Sequence, residues 1–146
     1  MPVEFLCNYL LELTTFQETI RMQYISTRGK HAPLSFVDAV LEGLARDGGL
    51  LIPESFPDLS KELNKLKDLS YQELAFEIFL PFIEGEIENN TLRKLIAKSY
   101  QNFAHEQVTP TKQIGNISVL ELFHGPTLAF KDVALQFLGN LFEEIL

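Results

Sequence analysis

The chain has 146 residues, of which 46% are hydrophobic and 22% are charged, as is usual for a globular protein that buries one core. Extensive disorder is therefore excluded, and no stretch reaches the roughly 18 apolar residues that a membrane-spanning helix requires. The formal net charge of -8 argues against nucleic acid or an anionic membrane as a partner, because both attract clustered lysine and arginine.

Residues 1–21 form an opening segment for which two interpretations stay open. The segment contains three glutamates and no basic residue before Arg21, which is unlike a secretory signal peptide. Its apolar residues recur at helical spacing, so one interpretation is a short docking helix. The other is that Met22 is the true start and that the preceding residues are a vestigial or wrongly assigned extension.

Residues 22–108 have the pattern of a mostly helical domain. Ser35 opens the first helix, because a carboxylate three positions later can bond back to the cap. The pair Gly48-Gly49 is predicted to end this helix, since glycine adopts the left-handed conformation at little cost. Two extended segments flank the helix: Tyr24–Thr27 and Leu50–Pro53.

The next segment predicts two further helices after a solvated connection. Residues 61–68 are highly charged and read as irregular or weakly helical. Ser70 and Glu73 form a capping box that opens the second helix, which Pro81 is predicted to bend or stop. Asn90 is predicted to cap the third helix.

The end of the chain changes from helix to strand and back. Residues 117–123 form a strongly strand-forming run, and residues 124–127 (HGPT) interrupt it. A helix follows at once, with Thr127 as its predicted N-cap. A strand, a tight loop and a helix start are the arrangement with which α/β enzymes present reactive groups, so a functional site is expected here.

Lys131 is the unusual residue of this last helix. On a helical wheel it lies in the apolar arc, between Leu138 and Phe142, and no carboxylate is placed three or four positions away to pair with it. The predicted water-facing side consists of Asp132, Gln136, Asn140 and Glu143.

Two interpretations of Lys131 follow. An ammonium buried without a partner costs several kcal/mol, so such a lysine tends to lose its proton and become a nucleophile toward carbonyl groups. The more ordinary alternative is a lysine whose stem covers apolar surface while its ammonium reaches water. The wheel alone does not choose between them.

Metal chemistry is not expected. Cys7 is the only cysteine, which excludes an internal disulfide and a multi-thiolate zinc site. The three histidines lie far apart in the sequence without metal-ligand spacing. These features are typical of a protein of the reducing cytoplasm.

Two segments carry a resemblance to a known family. ELFHGPTLAFKDVALQFLG (Glu121–Gly139) is similar, almost residue for residue, to the cofactor-lysine segment of threonine synthases. YISTRG (Tyr24–Gly29) and SFVDAVLEGLARDGGLLIPESFP (Ser35–Pro57) resemble the N-terminal domain of the same family. The matches occur in the family's order and cover nearly everything from Met22 onward.

The resemblance implies a pyridoxal phosphate enzyme of fold type II that converts O-phospho-L-homoserine and water to L-threonine and phosphate. By this likeness, Lys131 holds the cofactor as a Schiff base and later moves protons at the substrate's α and β carbons. Phe130 is expected to pack against the cofactor ring, although ordinary core packing would explain it equally well. Thr127 and His124 are candidate substrate contacts, with helix capping and a backbone-bonded loop histidine as the alternatives.

The implied fold class is mixed α/β, divided into three parts. An extension of residues 1–21 is followed by a mostly helical N-terminal domain, residues 22–108, and by the first strand and lysine-bearing helix of the catalytic domain, residues 109–146. The glycine-rich loop that binds the cofactor phosphate in this family, and the groups that bind its pyridine nitrogen, find no match. We therefore expect a truncated chain that is inactive by itself.

Two other functions stay open. One is a synthase-like lyase that acts on a related phosphorylated amino acid. The other is a non-catalytic remnant that binds a partner, because the final helix is apolar over most of its circumference and is expected to self-associate.

Overall fold

A computed structural model describes residues 21–83 and 85–146 as a mixed α/β arrangement. The two interpretations of the opening segment concern residues that, apart from Arg21, lie outside these ranges. The described strands are β1 (Tyr24–Ser26), β2 (Leu51–Pro53), β3 (Thr111–Ile114) and β4 (Ile117–Leu120). The described α-helices are α1 (Phe36–Glu42), α2 (Leu63–Leu66), α3 (Tyr71–Ile83), α4 (Asn89–Tyr100) and α5 (Asp132–Ile145).

Strands β1 and β2 confirm the two predicted extended segments and pair antiparallel, with Ile25 opposite Ile52. Asp47 holds the turn that leads into β2. Its carboxylate accepts hydrogen bonds from the Ser26 hydroxyl at 2.7 and 2.9 Å and from the backbone N–H groups of Lys30 and Gly49, both at 2.9 Å. A Cβ at residue 49 would overlap the Ser26 hydroxyl oxygen, so only glycine fits there.

The predicted start of α1 is confirmed, whereas its predicted end is wrong. The Ser35 hydroxyl accepts the Asp38 backbone N–H at 3.1 Å, as a helix cap does. The helix stops at Glu42, because Gly43 follows with φ 69° and ψ −43°, a backbone conformation open to glycine, whereas we expected the stop at Gly48. Gly48, at φ 77°, instead serves the turn before β2.

The charged segment before α3 contains a 3-10 turn, Ser60–Glu62, and the short α2, so its weakly helical reading is confirmed. The capping box is also confirmed: Ser70 donates its backbone N–H to the Glu73 carboxylate at 2.9 Å. The helix does not stop at Pro81 and runs two residues further, to Ile83. The Phe82 carbonyl, at this end, accepts the Tyr24 hydroxyl at 2.9 Å.

Helix α4 begins two residues earlier than predicted. Its N-cap is Glu88 and its first helical residue is Asn89, so the assignment of Asn90 as the cap is wrong. The Leu92 N–H bonds to the Glu88 carbonyl at 2.9 Å, which places Asn90 inside the first turn. Asn90 is a favourable capping residue, but the helix begins before it.

Helices α3, α4 and α5 share one hydrophobic core. Its most deeply buried side chains are Leu92 and Ile96 of α4 and Leu141 of α5. Complete burial of an aliphatic side chain of this size stabilises the fold by about 2 kcal/mol. Apolar residues of α5, such as Leu141, therefore pack this last helix against α3 and α4.

Strand β4 confirms part of the predicted run, and its partner β3 was not predicted. The two strands form a hairpin in which Ile114 lies opposite Ile117, and Gly115 between them has φ 60°. Glycine at the first central position is what a type II′ hairpin turn requires. Every residue of both strands is exposed. None of the helices in the described residues is long and apolar enough to cross a membrane.

Candidate active site

Residues 125–131 connect the end of the hairpin region to α5 through a tight, irregular turn. The Leu128 N–H bonds to the Gly125 carbonyl at 3.1 Å, and Leu128 has φ 60°. A leucine in the left-handed region costs roughly 1–2 kcal/mol, so the surrounding contacts must hold this conformation. The turn ends at Lys131, immediately before the first residue of α5.

The carboxylate of Asp132 closes this turn. One oxygen accepts the Thr127 backbone N–H at 2.7 Å, and the other accepts the Thr127 hydroxyl at 2.8 Å. The prediction that Thr127 is the N-cap of α5 is therefore wrong. Its hydroxyl donates to the Asp132 side chain, and the helix begins five residues later. The N-cap is Lys131, without a side-chain capping bond.

Lys131 is exposed to solvent in this chain. Leu135 and Leu138 share its side of the helix, as the wheel predicted, but these side chains are 51% and 37% exposed. We refer to Lys131, Leu135 and Leu138 as the lysine face. Of the two interpretations of Lys131, this chain therefore shows the one in which the ammonium reaches water, because no described part of the chain covers the lysine face.

The polar side of α5 was predicted to face water, and this is wrong for most of it. Asp132 is only 3% exposed. Asn140 donates to the Ser99 hydroxyl oxygen of α4 at 3.0 Å, and Gln136 is half-buried. Only Glu143 is exposed, where it pairs with Lys98 at 2.6 Å. A helical wheel gives the relative directions of side chains, but it does not show which side of the helix a neighbouring helix covers. Here Ser99 of α4 provides a polar partner for the polar side of α5.

His124 lies at the entrance to the turn and already has a partner. Its Nε2 is 2.9 Å from a Glu121 carboxylate oxygen, and its ring packs against those of Phe123 and His105 with centroids 4.6 and 5.2 Å away. Its backbone carbonyl accepts the Ala104 N–H at 2.8 Å. The structure thus gives both candidate substrate contacts, His124 and Thr127, carboxylate partners within the chain.

The residues of the turn fit a cofactor that carries an aldehyde on an aromatic ring. Among residues 21–83 and 85–146, no carboxylate oxygen lies within 4.0 Å of the Lys131 ammonium nitrogen. The Phe130 ring beside it is 64% exposed, so it offers an uncovered aromatic surface. An accessible amine next to apolar surface can form a covalent bond to a carbonyl group.

Asp132 is the buried residue of this turn that sequence reasoning missed, since it was placed on the water-facing side. One signal could have found it. A carboxylate in the first turn of a helix is stabilised by the helix dipole and by free backbone N–H groups. The sequence therefore offered a physical reason to expect the Asp132 carboxylate to bond to the turn before α5 and not to face water.

Comparison with known proteins identifies the relatives of the chain. Residues 23–100, more than half of the chain, match the family model described as threonine synthase N terminus. Threonine synthase of Schizosaccharomyces pombe is 53% identical over 126 residues, covering 84% of this chain and 24% of that protein. Threonine synthase of Pseudomonas aeruginosa is 50% identical over 127 residues, covering 86% of this chain and 27% of that protein.

A solved structure gives the same answer. The crystal structure of threonine synthase from Brucella melitensis, with PLP bound, superimposes with a TM-score of 0.81 at 44% identity, covering 85% of this chain and 27% of that one. The chain thus spans about a quarter of the length of the relatives it matches. From the matched helical region and the strand–turn–helix that follows it, we conclude that this chain belongs to the threonine synthase family.

Proposed function

We propose that this chain carries the cofactor-binding lysine of a threonine synthase. The reaction is the conversion of O-phospho-L-homoserine and water to L-threonine and phosphate, and the cofactor is pyridoxal phosphate in a fold-type II enzyme of the cytoplasm. The observation that supports this most strongly is Lys131 itself. It is an exposed amine without a carboxylate partner among the described residues, at the end of a strained turn, in a chain of this family.

Lys131 has two roles in this proposal. Its amine holds the cofactor covalently, and after release it accepts and returns protons at the α and β carbons of the substrate as phosphate leaves. Bound pyridoxal phosphate supplies the electron sink for this chemistry. No carboxylate of the described residues pairs with the amine, so no ion pair holds it away from the cofactor or the substrate.

Phe130 and the lysine face provide the apolar surroundings of this amine. We propose that the exposed Phe130 ring packs against the cofactor ring. We also propose that Leu135 and Leu138 exclude water from the aliphatic stem of the Lys131 side chain. Contacts of Thr127 and His124 with substrate stay predictions. Asp132 binds Thr127, and Glu121 binds His124. To contact the substrate, each of these side chains would have to give up its hydrogen bond to the carboxylate.

The 146-residue chain alone is not expected to form threonine. It contains no match to the family's phosphate-binding glycine-rich loop, and it spans about a quarter of its relatives' length. The division at residue 108 into a helical domain and the start of a catalytic domain stays a prediction.

A chimaeric enzyme tests the proposed function. Residues 22–146 replace the matching segment of the Brucella melitensis threonine synthase, and threonine and phosphate are measured with O-phospho-L-homoserine as substrate. We expect both products in equal amounts, and neither from K131R. Phosphate without threonine would favour the related lyase, and a folded chimaera that forms neither product would favour the non-catalytic remnant.

A further inference from the structure

The Gly125–Lys131 turn is held from one side by a single carboxylate. Asp132 binds the backbone N–H of Thr127 with one oxygen and its hydroxyl with the other, at 2.7 and 2.8 Å. Gly125 lies so close that a Cβ there would overlap Asp132. Asp132 therefore joins the start of the turn to the first residue of α5.

This contact also determines where Lys131 points. Successive residues of a helix project about 100° apart, so burying one of them directs its neighbour toward a different side. Asp132 is 3% exposed and faces the turn, whereas Lys131 is exposed on the lysine face. The direction of the amine depends on Asp132 staying in place.

The charge of Asp132 suits this role. Burial acts to raise the pKa of its carboxyl, but the hydrogen bonds from Thr127 and Gln136 lower it by more, so the pKa lies below the usual value for aspartate. The side chain is consequently ionised at neutral pH and accepts both hydrogen bonds from Thr127. An amide at this position could accept only with its oxygen, and its NH2 group would face a donor.

We propose that Asp132 is a positioning residue, whose bidentate contact with Thr127 closes the 127–132 turn and thereby fixes the direction of the Lys131 amine. The inference deepens the proposed function and rests on it for the role of Lys131. Asp132 acts through the turn and makes no contact with the lysine ammonium within 4.0 Å among the described residues.

Two measurements on the full chain test the proposal. The first is hydrogen exchange of the Thr127 amide, which reports the contact directly. The second is the share of label on Lys131 after incubation with pyridoxal phosphate and reduction with borohydride, relative to the other exposed lysines. D132N keeps the size of the side chain and loses one acceptor. E144Q removes the same charge from an exposed site on the same helix and is the matched control.

We expect D132N to speed exchange of the Thr127 amide about tenfold, since the amide loses a hydrogen bond to a charged oxygen and keeps at most one to a neutral oxygen. The share of label on Lys131 should fall severalfold in D132N and stay at the parental value in E144Q. Unchanged exchange and unchanged labelling in D132N would overturn the proposal, as would equal losses in E144Q.

Thr127 variants keep the test decisive if D132N does not fold. Thr127 is exposed, so T127S and T127V perturb no core packing, and folding is checked by exchange of the Leu92 and Ile96 amides. T127S keeps both hydrogen bonds and should retain the parental labelling, whereas T127V loses the hydroxyl bond and should not. Equal labelling of the two variants would contradict a positioning role. If Lys131 shows no preference even in the parent chain, the proposed function fails, and exchange of the Thr127 amide alone decides whether Asp132 holds the turn.

Discussion

The hydroxyl of Tyr100 donates a hydrogen bond to the backbone carbonyl of Val133 at 2.9 Å. Tyr100 is the last residue of α4 and of the segment that matches the family model, and Val133 lies in the first turn of α5. Together with the contact between Asn140 and Ser99, this bond connects the matched helical region to the helix that follows Lys131. The position of the lysine thus depends on residues more than thirty positions earlier in the chain.

Y100F removes this bond while it keeps the buried ring. Burial, followed by the neighbouring Tyr71, raises the pKa of Tyr100, so its hydroxyl stays a donor throughout the neutral pH range. Losing the bond should lower the free energy of unfolding by about 1 kcal/mol, measured as a decrease in the urea midpoint. An unchanged midpoint would mean that the bond between the two helices contributes nothing to stability.

Two glycines should respond to alanine in opposite directions. A Cβ at residue 49 overlaps the Ser26 hydroxyl, so G49A should destabilise the protein by about 1–3 kcal/mol. Gly139 lies within α5, and a Cβ there meets nothing within 4 Å, so G139A should stabilise by roughly 0.5–1 kcal/mol. Thermal or urea unfolding measures both changes. If both substitutions changed the free energy of unfolding in the same direction, the described backbone around Gly49 or Gly139 would be contradicted.

Asp47 makes the stability of the β1–β2 region dependent on pH. The hydrogen bond from Ser26, and then those from Gly49 and Lys30, hold the pKa of its carboxyl below the usual value despite partial desolvation. A lowered folded-state pKa contributes stability above the unfolded-state value of about 3.9, and that contribution is lost as the pH falls through the folded-state pKa.

D47N should therefore be less stable than the parent at neutral pH, and the difference should shrink as the pH falls below about 4. Urea unfolding of both proteins at several pH values measures this. D68N, at an exposed aspartate, is the control and should show little difference at any pH. A constant gap between D47N and the parent would show that Asp47 does not act through its charge.

The lysine face should make the chain self-associate. Leu135 and Leu138 expose apolar surface on α5, and exposed apolar surface promotes association. Sedimentation velocity should show oligomers whose fraction rises with concentration and falls in L138E. A97E, at an exposed site on α4, is the matched control and should leave association unchanged. A monomeric parent chain would contradict this prediction.

Local signals in the sequence predicted the fold well. The capping pairs Ser35–Asp38 and Ser70–Glu73 form as predicted, because both partners lie three residues apart and need no other part of the chain. The third helix, whose Leu92 enters the core, was likewise predicted from the sequence, although its start was misplaced. Boundaries were less accurate where two glycines competed, as Gly43 and Gly48 did, because either can adopt positive φ.

The orientation of α5 could not be predicted from its own residues. Its polar stripe faces α4 since Ser99 offers a matching hydrogen bond, and no pattern within residues 132–145 shows this. The same lack of tertiary information misplaced Asp132 and left two interpretations of Lys131 open. The helical wheel and the family likeness both directed attention to Lys131, and the geometry added the carboxylate that holds its turn.

The most direct test of the central claim is the site of covalent attachment of pyridoxal phosphate. The chimaeric enzyme and the 146-residue chain are each incubated with the cofactor, reduced with borohydride, digested and analysed by mass spectrometry. We expect nearly all of the label on Lys131 in the chimaera, a weaker label with Lys131 still the preferred lysine in the chain, and loss of that label in K131R. Label spread equally over the exposed lysines, or an unchanged amount in K131R, would contradict the assignment of Lys131 as the cofactor-binding residue.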